Sequence, residues 1–157
     1  MYDLDKCRVV SKGTSFIRSE SGKTIILASE TEFDCHVIDI DNCAFKKEPF
    51  RRCDFLFLVP VNKSENMHMV NVKSRAYFVE LKGDDIKSAC EQLFNTIEKI
   101  KTQLLNFELH AIVVGTAAYQ PEIEENEYFR KVRKMIKRDI VFRKVHKVNK
   151  FTHTEYI

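Results

Sequence analysis

Only four glycines occur in the 157 residues, and none belongs to a Gly-rich loop of the kind that cradles nucleotide phosphates. Walker-type nucleotide hydrolysis is excluded, because closing backbone N–H groups around phosphates needs glycines at fixed spacing before a Lys and a Ser or Thr. No serine stands in a nucleophile-elbow context, so serine-hydrolase chemistry has no support. Internal repeats and low-complexity tracts are missing. No apolar run approaches the length of a membrane span, and the opening Met1-Tyr2-Asp3-Leu4-Asp5 has neither a basic n-region nor an apolar h-region. A cytoplasmic protein is expected. The five cysteines, Cys7, Cys35, Cys43, Cys53 and Cys90, include no C-x-x-C pair, and they are expected to be reduced packing residues. Cys35, His36 and Cys43 lack the usual spacing of a zinc site.

What is present is enough for a core. Hydrophobic residues make up 44% of the chain, twelve of them Phe, and the length predicts one domain over 1–157. Thr24 to Ala28 and Cys35 to Asp41 have the composition of strands, as do Phe55 to Val61 and Tyr77 to Leu81. Gly83-Asp84-Asp85 ends the last of these and caps a helix. Ile86, Ala89, Cys90, Leu93, Phe94, Ile97, Ile100, Leu104 and Leu105 then recur at helical spacing over about five turns. Leu109 to Gly115 follows as a buried strand, so Tyr77 to Gly115 forms a right-handed parallel β-α-β unit in a sheet that is therefore mixed. Pro121 to Glu125 is a loop. Tyr128, Phe129, Val132, Met135 and Ile136 define a second helix, and Val141 to Val148 a last strand before a tail.

The densest information lies in Ala76-Tyr77-Phe78-Val79-Glu80-Leu81-Lys82-Gly83. Side chains alternate along a strand, so Ala76, Phe78, Glu80 and Lys82 share one face and Tyr77, Val79 and Leu81 the other. Upstream, Arg51-Arg52-Cys53-Asp54-Phe55-Leu56-Phe57-Leu58-Val59 carries a single Asp54 into an apolar run. A reversal within Asn62 to Arg75, centred near Met67-His68, lays the two runs antiparallel and brings Asp54 roughly opposite Glu80 to Lys82. Two adjacent carboxylates repel unless a cation sits between them, and hard oxygen ligands in small number suit Mg²⁺ or Mn²⁺.

At these residues the chain resembles the PD-(D/E)XK nuclease superfamily, whose signature is an aspartate opening one strand and Glu/Asp-x-Lys on the next. Cys53 stands where the name-giving proline would be. The order of elements from about 24 to 118 is similar to that family's core. The resemblance implies an α/β fold with a mixed central β-sheet flanked by helices, restriction-endonuclease-like. It also implies a metal-dependent endonuclease or phosphodiesterase acting on nucleic acid, with DNA the expected polymer. Asp54 and Glu80 would bind the metal with the Leu81 carbonyl, and Lys82 would orient or deprotonate the attacking water. The family's further acid from a preceding helix has no clear counterpart; Glu20, Glu30 and Glu32 are the candidates. Gln92, sideways on the helix that follows the motif, is by the resemblance a candidate substrate contact, with an ordinary surface glutamine the preferred reading.

The charge distribution is uneven. Through residue 125 the chain has 16 Lys and Arg against 20 Asp and Glu; over residues 126–150 it has ten against two. Arg130, Lys131, Arg133 and Lys134 head this basic pole. A solvated lysine-rich helix explains the run as well as a phosphate-binding face does, and the nuclease signature favours phosphates. Asp39 and Asp41 are extra ligands or a polar strand end, the latter preferred. His110, in a core strand, is expected to be a satisfied imidazole rather than a ligand. A domain this small reads little sequence, which points to low specificity, structure-selective cutting, a homodimer or a larger assembly. The rival expectation is an inactive nuclease-fold module that binds nucleic acid or a protein partner.

Overall fold

The computed structural model describes residues 1–61, 73–81, 85–115, 120–144 and 152–157. Its centre is a seven-stranded mixed sheet in the order β1-β2-β3-β4-β5-β6, with β7 alongside β2. These strands are β1 Arg8–Glu20, β2 Lys23–Asp39, β3 Phe55–Val59, β4 Ser74–Leu81, β5 Phe107–Gly115, β6 Val141–Lys144 and β7 Thr152–Tyr156. The first four pair antiparallel in sequence, whereas β4, β5 and β6 run parallel. Helix α1, Ile86–Ile100, makes the crossover from β4 to β5, and α2, Glu127–Met135, the one from β5 to β6. The expected β-α-β unit is present.

Alternation explains how the sheet divides the interior. Ala76 and Phe78 of β4 share one core with Leu56, Leu58, Ala111 and Val113 and with the apolar stripe of α1, Ala89, Cys90, Leu93, Ile97 and Ile100. Phe129 and Val132 bring α2 to the same side. Tyr77, Val79 and Leu81 point the other way, into a core made with Phe55, Phe57, Ile112 and Val114. That second core is closed by strands. Among the described residues the helices cover one face only, and the expectation of a sheet flanked by helices holds on that side alone.

The long hairpin does the covering. Thr24–Ala28 of β2 lies beside β7, while His36–Asp39 lies beside β3. Ile25, Leu27, Cys35 and Val37 all contribute to the second core, so β2 must curl across it. The bend has a visible cause: Gly13 pairs with Phe33 and Ser15 with Ala28, leaving the four residues 29–32 opposite Thr14 alone. The polar stretch that separates two strands in the sequence is this irregularity, inside one continuous strand. Ser21 and Gly22, with φ of 49° and 76°, form the two-residue turn that joins β1 to β2.

Two expectations are corrected. The C-terminal segment is no tail, since β7 adds to the sheet; Val141 to Val148 is seen as β6 only as far as Lys144, the remainder lying outside the described residues. Cys7 and Cys43 form a disulfide, with Cα atoms 5.8 Å apart, rather than remaining reduced. Pairing of Arg8 with Ile38 puts the turn before β1 beside the turn Ile40–Ala44 after β2, which joins residues 36 apart in sequence. Cys35, Cys53 and Cys90 are free and buried, as expected. Among the described residues no helix is long and apolar enough to cross a membrane.

Candidate active site

Phe55 pairs with Val79 at the end of the β3–β4 ladder; Asp54 is the residue before that pair on one segment and Glu80 the residue after it on the other. The antiparallel approach of the two segments, expected from the sequence, is present. Both acids are nearly inaccessible, Asp54 at 7% exposure and Glu80 at 2%. Glu80 alternates with Phe78 onto the face covered by α1; Cys53 lies in that core together with Leu56, so strict alternation does not continue from β3 back through Asp54. The backbone of Asp54 is tied on both sides: its N–H donates to the Val79 carbonyl at 3.1 Å, and its own carbonyl accepts from Ile40 N at 2.9 Å. Its Oδ2 accepts the Leu81 N–H at 2.7 Å. The carboxylate is therefore fixed against the strand that carries Glu80.

A row of polar side chains on α1 holds the segment leading to Asp54. Asn95 Nδ2 donates to the Arg51 carbonyl at 3.0 Å, and Gln92 Nε2 to the Arg52 carbonyl at 2.9 Å. Thr96 Oγ1 accepts the Cys53 N–H at 2.9 Å and donates to the Gln92 carbonyl at 2.8 Å. Near the start of the helix, which Asp85 caps by accepting from Ser88 N at 3.0 Å, Ser88 Oγ receives Arg51 Nη1 at 2.6 Å. Ser88, Gln92, Asn95 and Thr96 are spaced i, i+4, i+7, i+8, one helical stripe beside the apolar one. Of these, sequence reasoning singled out only Gln92. The spacing was a usable signal, but it needed the knowledge that residues 51–53 lie against it.

Burial pushes the Cys53 thiol well above its ordinary range, and the charges of Glu80 and Asp54 add to that shift. A thiol this hard to ionise is no nucleophile. Arg52 is consumed internally: Nε meets Asp41 Oδ1 at 2.7 Å, and Nη1 donates to the carbonyls of Glu48 and Phe50 at 2.7 and 3.1 Å. Asp39 Oδ1 caps the following turn by accepting Asn42 N at 2.9 Å. Asp39 and Asp41 thus have structural partners, in keeping with the polar strand end preferred for them.

The other candidates fall in different places. Lys82, with Gly83 and Asp84, lies outside the described residues. Glu20 sits at the β1–β2 turn, and Glu30 and Glu32 in the irregular middle of β2. Glu32 is seven residues from Asp39, about 23 Å of strand, and Glu30 is farther along it. Glu20 ends β1, paired with Lys23 at the other end of β2 from Asp39. On α2 the basic residues are exposed. Lys131 pairs with Glu127, Arg133 Nε with Asp139 Oδ1 at 3.0 Å, and Arg130 Nε donates to the Glu124 carbonyl at 2.8 Å. Lys134 has no ion-pair partner among the described residues. His110 Nε2 lies 2.9 Å from Glu108 Oε1, a satisfied imidazole.

Among the described residues no three His, Cys, Asp or Glu side chains gather as a metal-binding group. Compared with protein-family models, curated proteins and solved structures, the chain has no match.

Proposed function

We propose that the chain is a Mg²⁺- or Mn²⁺-dependent nuclease of restriction-endonuclease-like fold, hydrolysing phosphodiester bonds of nucleic acid, with DNA the expected substrate. The observation that carries this reading is the hydrogen bond to Asp54 Oδ2, at 2.7 Å, from the amide of Leu81, the residue after Glu80, at the end of the strand from which the crossover helix departs. Two buried acids on adjoining segments are costly as a structural device, because taking a carboxylate out of water carries a desolvation penalty.

The donor set fits the ion. Two carboxylates offer hard oxygens, and Mg²⁺ typically takes one or two carboxylates and keeps several waters. Asp54 and Glu80 would hold it, with the Leu81 carbonyl as a third oxygen. When bound, such an ion polarises the phosphoryl oxygens and lowers the pKa of a bound water. The protein's own contribution is orientation. The Leu81 amide fixes one Asp54 oxygen, Oδ2, by a hydrogen bond. The motif gives Lys82 the part of orienting the attacking water.

Supercoiled plasmid and linear DNA, incubated with Mg²⁺ or Mn²⁺, test the reading. Native protein is expected to nick or cut, and Asp54→Asn, Glu80→Gln and Lys82→Ala each to lose about a hundredfold or more in rate. Native protein without strand scission on DNA or RNA would defeat it. A second reading, a non-catalytic module of the same fold that binds nucleic acid or a protein partner, is favoured by one observation: no third acidic side chain joins the pair among the described residues. Binding without cutting, unaffected by Asp54→Asn, identifies that alternative.

A further inference from the structure

A surface groove of about 390 Å³ opens next to the segment that leads to Asp54, lined by Asp41, Pro49, Phe50, Arg51, Arg52 and Gln92. Its two arginines differ. Arg52 is half-buried and already engaged by Asp41 and two carbonyls. Arg51 is exposed, and among the described residues its guanidinium meets a single neutral partner, Ser88 Oγ at 2.6 Å, and no carboxylate. A guanidinium carries five N–H donors, so most of this one's capacity faces outward. Holding a charged fork in one orientation costs side-chain entropy, and a lone hydroxyl returns little of it.

The direction of that fork matters. Ser88 is in the first turn of α1, at the end of the sheet where β4 delivers Glu80 and Leu81. Anchoring by Ser88 therefore ties the Arg51 guanidinium to the N-terminal turn of the helix that follows the Glu80-bearing strand. Asn95 holds the Arg51 carbonyl and so fixes the base of the same side chain. The surroundings suit an anion. Exposed Lys46 and Lys47 lie on the same loop, and Lys99 Nζ sits 5.3 Å from the centre of the Phe50 ring in the groove wall.

We propose that Arg51, held by Ser88, is a phosphate-binding residue. It seats a phosphodiester group of the nucleic-acid chain next to the one presented to Asp54 and Glu80. The inference deepens the nuclease reading and rests on it for the identity of the ligand. A planar guanidinium binds two phosphate oxygens at once, which a lysine ammonium does not reproduce.

The experiment is equilibrium binding of end-labelled single- and double-stranded oligonucleotides by fluorescence anisotropy, in EDTA so that no strand is cut, across a salt series. Native protein, Arg51→Ala, Arg51→Lys, Ser88→Ala and Lys87→Ala are compared, with circular dichroism to verify folding. Arg51→Ala is expected to weaken binding several-fold and to reduce the slope of log K against log salt by about 0.7–0.9, the loss of one phosphate contact. Arg51→Lys should keep the slope and lose affinity, Ser88→Ala should weaken binding with the slope intact, and Lys87→Ala should match native protein. An Arg51→Ala protein with native affinity and slope overturns the proposal, as does an equal loss with Lys87→Ala. Failure of the two readings is separable. Slope loss in a protein that never cuts supports the phosphate seat and sinks the nuclease, whereas cutting with unchanged Arg51→Ala binding does the reverse. A native protein that binds neither oligonucleotide removes the seat.

Discussion

The Leu81 amide donates to Asp54 Oδ2 at 2.7 Å, a bond between the backbone of one strand and the acid at the entrance of its neighbour. It couples the Glu80-bearing strand to Asp54 independently of any ligand. Asp54→Ala leaves that buried N–H without its acceptor, a loss worth about 1–3 kcal/mol. Asp54→Asn retains an acceptor oxygen of the same shape. The alanine variant is therefore expected to be less stable than the asparagine variant by about 1–2 kcal/mol in urea unfolding, although both lose the proposed cleavage. Equal stabilities would show that the bond contributes nothing.

Thr96 is the deepest link between α1 and the approach to Asp54. It is fully buried, accepting from Cys53 N and donating to the Gln92 carbonyl. Thr96→Val preserves shape and removes both bonds; the Gln92 carbonyl keeps its place in the helix, but the Cys53 N–H becomes an orphan. Destabilisation of about 1–3 kcal/mol is expected, with Thr96→Ser recovering most of it. Chemical denaturation of the three proteins measures this directly.

How far the sequence spoke for itself follows from the range of each signal. The antiparallel pairing of Phe55–Val59 with Arg75–Val79 was legible because period-two alternation and one reversal suffice to place it. The crossover helix was legible from its apolar stripe. The lacing of Ser88, Gln92, Asn95 and Thr96 to residues 51–53 was not, since polar residues on a helix look alike whether they meet solvent or another segment's carbonyls. β7 and the full extent of β1 were hidden for a related reason. Arg8–Glu20 buries only Phe16 fully and is polar along most of its length, so its strand character comes from the partner it pairs with.

The Cys7–Cys43 pair was illegible as well, because nothing in a spacing of 36 residues signals proximity. Its presence predicts that the unfolded, unreduced protein shows three reactive thiols and the reduced one five. Closing a loop of this size restrains the unfolded chain, and Cys7→Ser is expected to cost about 2–4 kcal/mol. Dithiothreitol should lower the unfolding midpoint of native protein toward that of Cys7→Ser and leave the variant unchanged. Five thiols before reduction would remove the disulfide from the description.

His110 supplies a pH test remote from the two acids. Its ring stacks on Tyr77 with centroids 4.9 Å apart, and Nε2 meets Glu108 at 2.9 Å. Burial lowers its pKa below 6.5; Glu108 pulls the other way, Arg75 and Arg138 reinforce the lowering, and the net direction is downward. The folded protein thus favours the neutral ring more than the unfolded chain does. Stability from this group is fully present above pH 6.5 and is lost as pH falls through the lower folded value, where the unfolded chain already binds its proton. His36, lowered by burial and by Arg8, acts in the same sense. Proton NMR titration should place His110 below 6.5, and His110→Gln should unfold with a shallower stability loss between pH 7 and pH 5 than native protein. An imidazole titrating above 6.5 would mean that Glu108 outweighs burial, and the slope would then change sign.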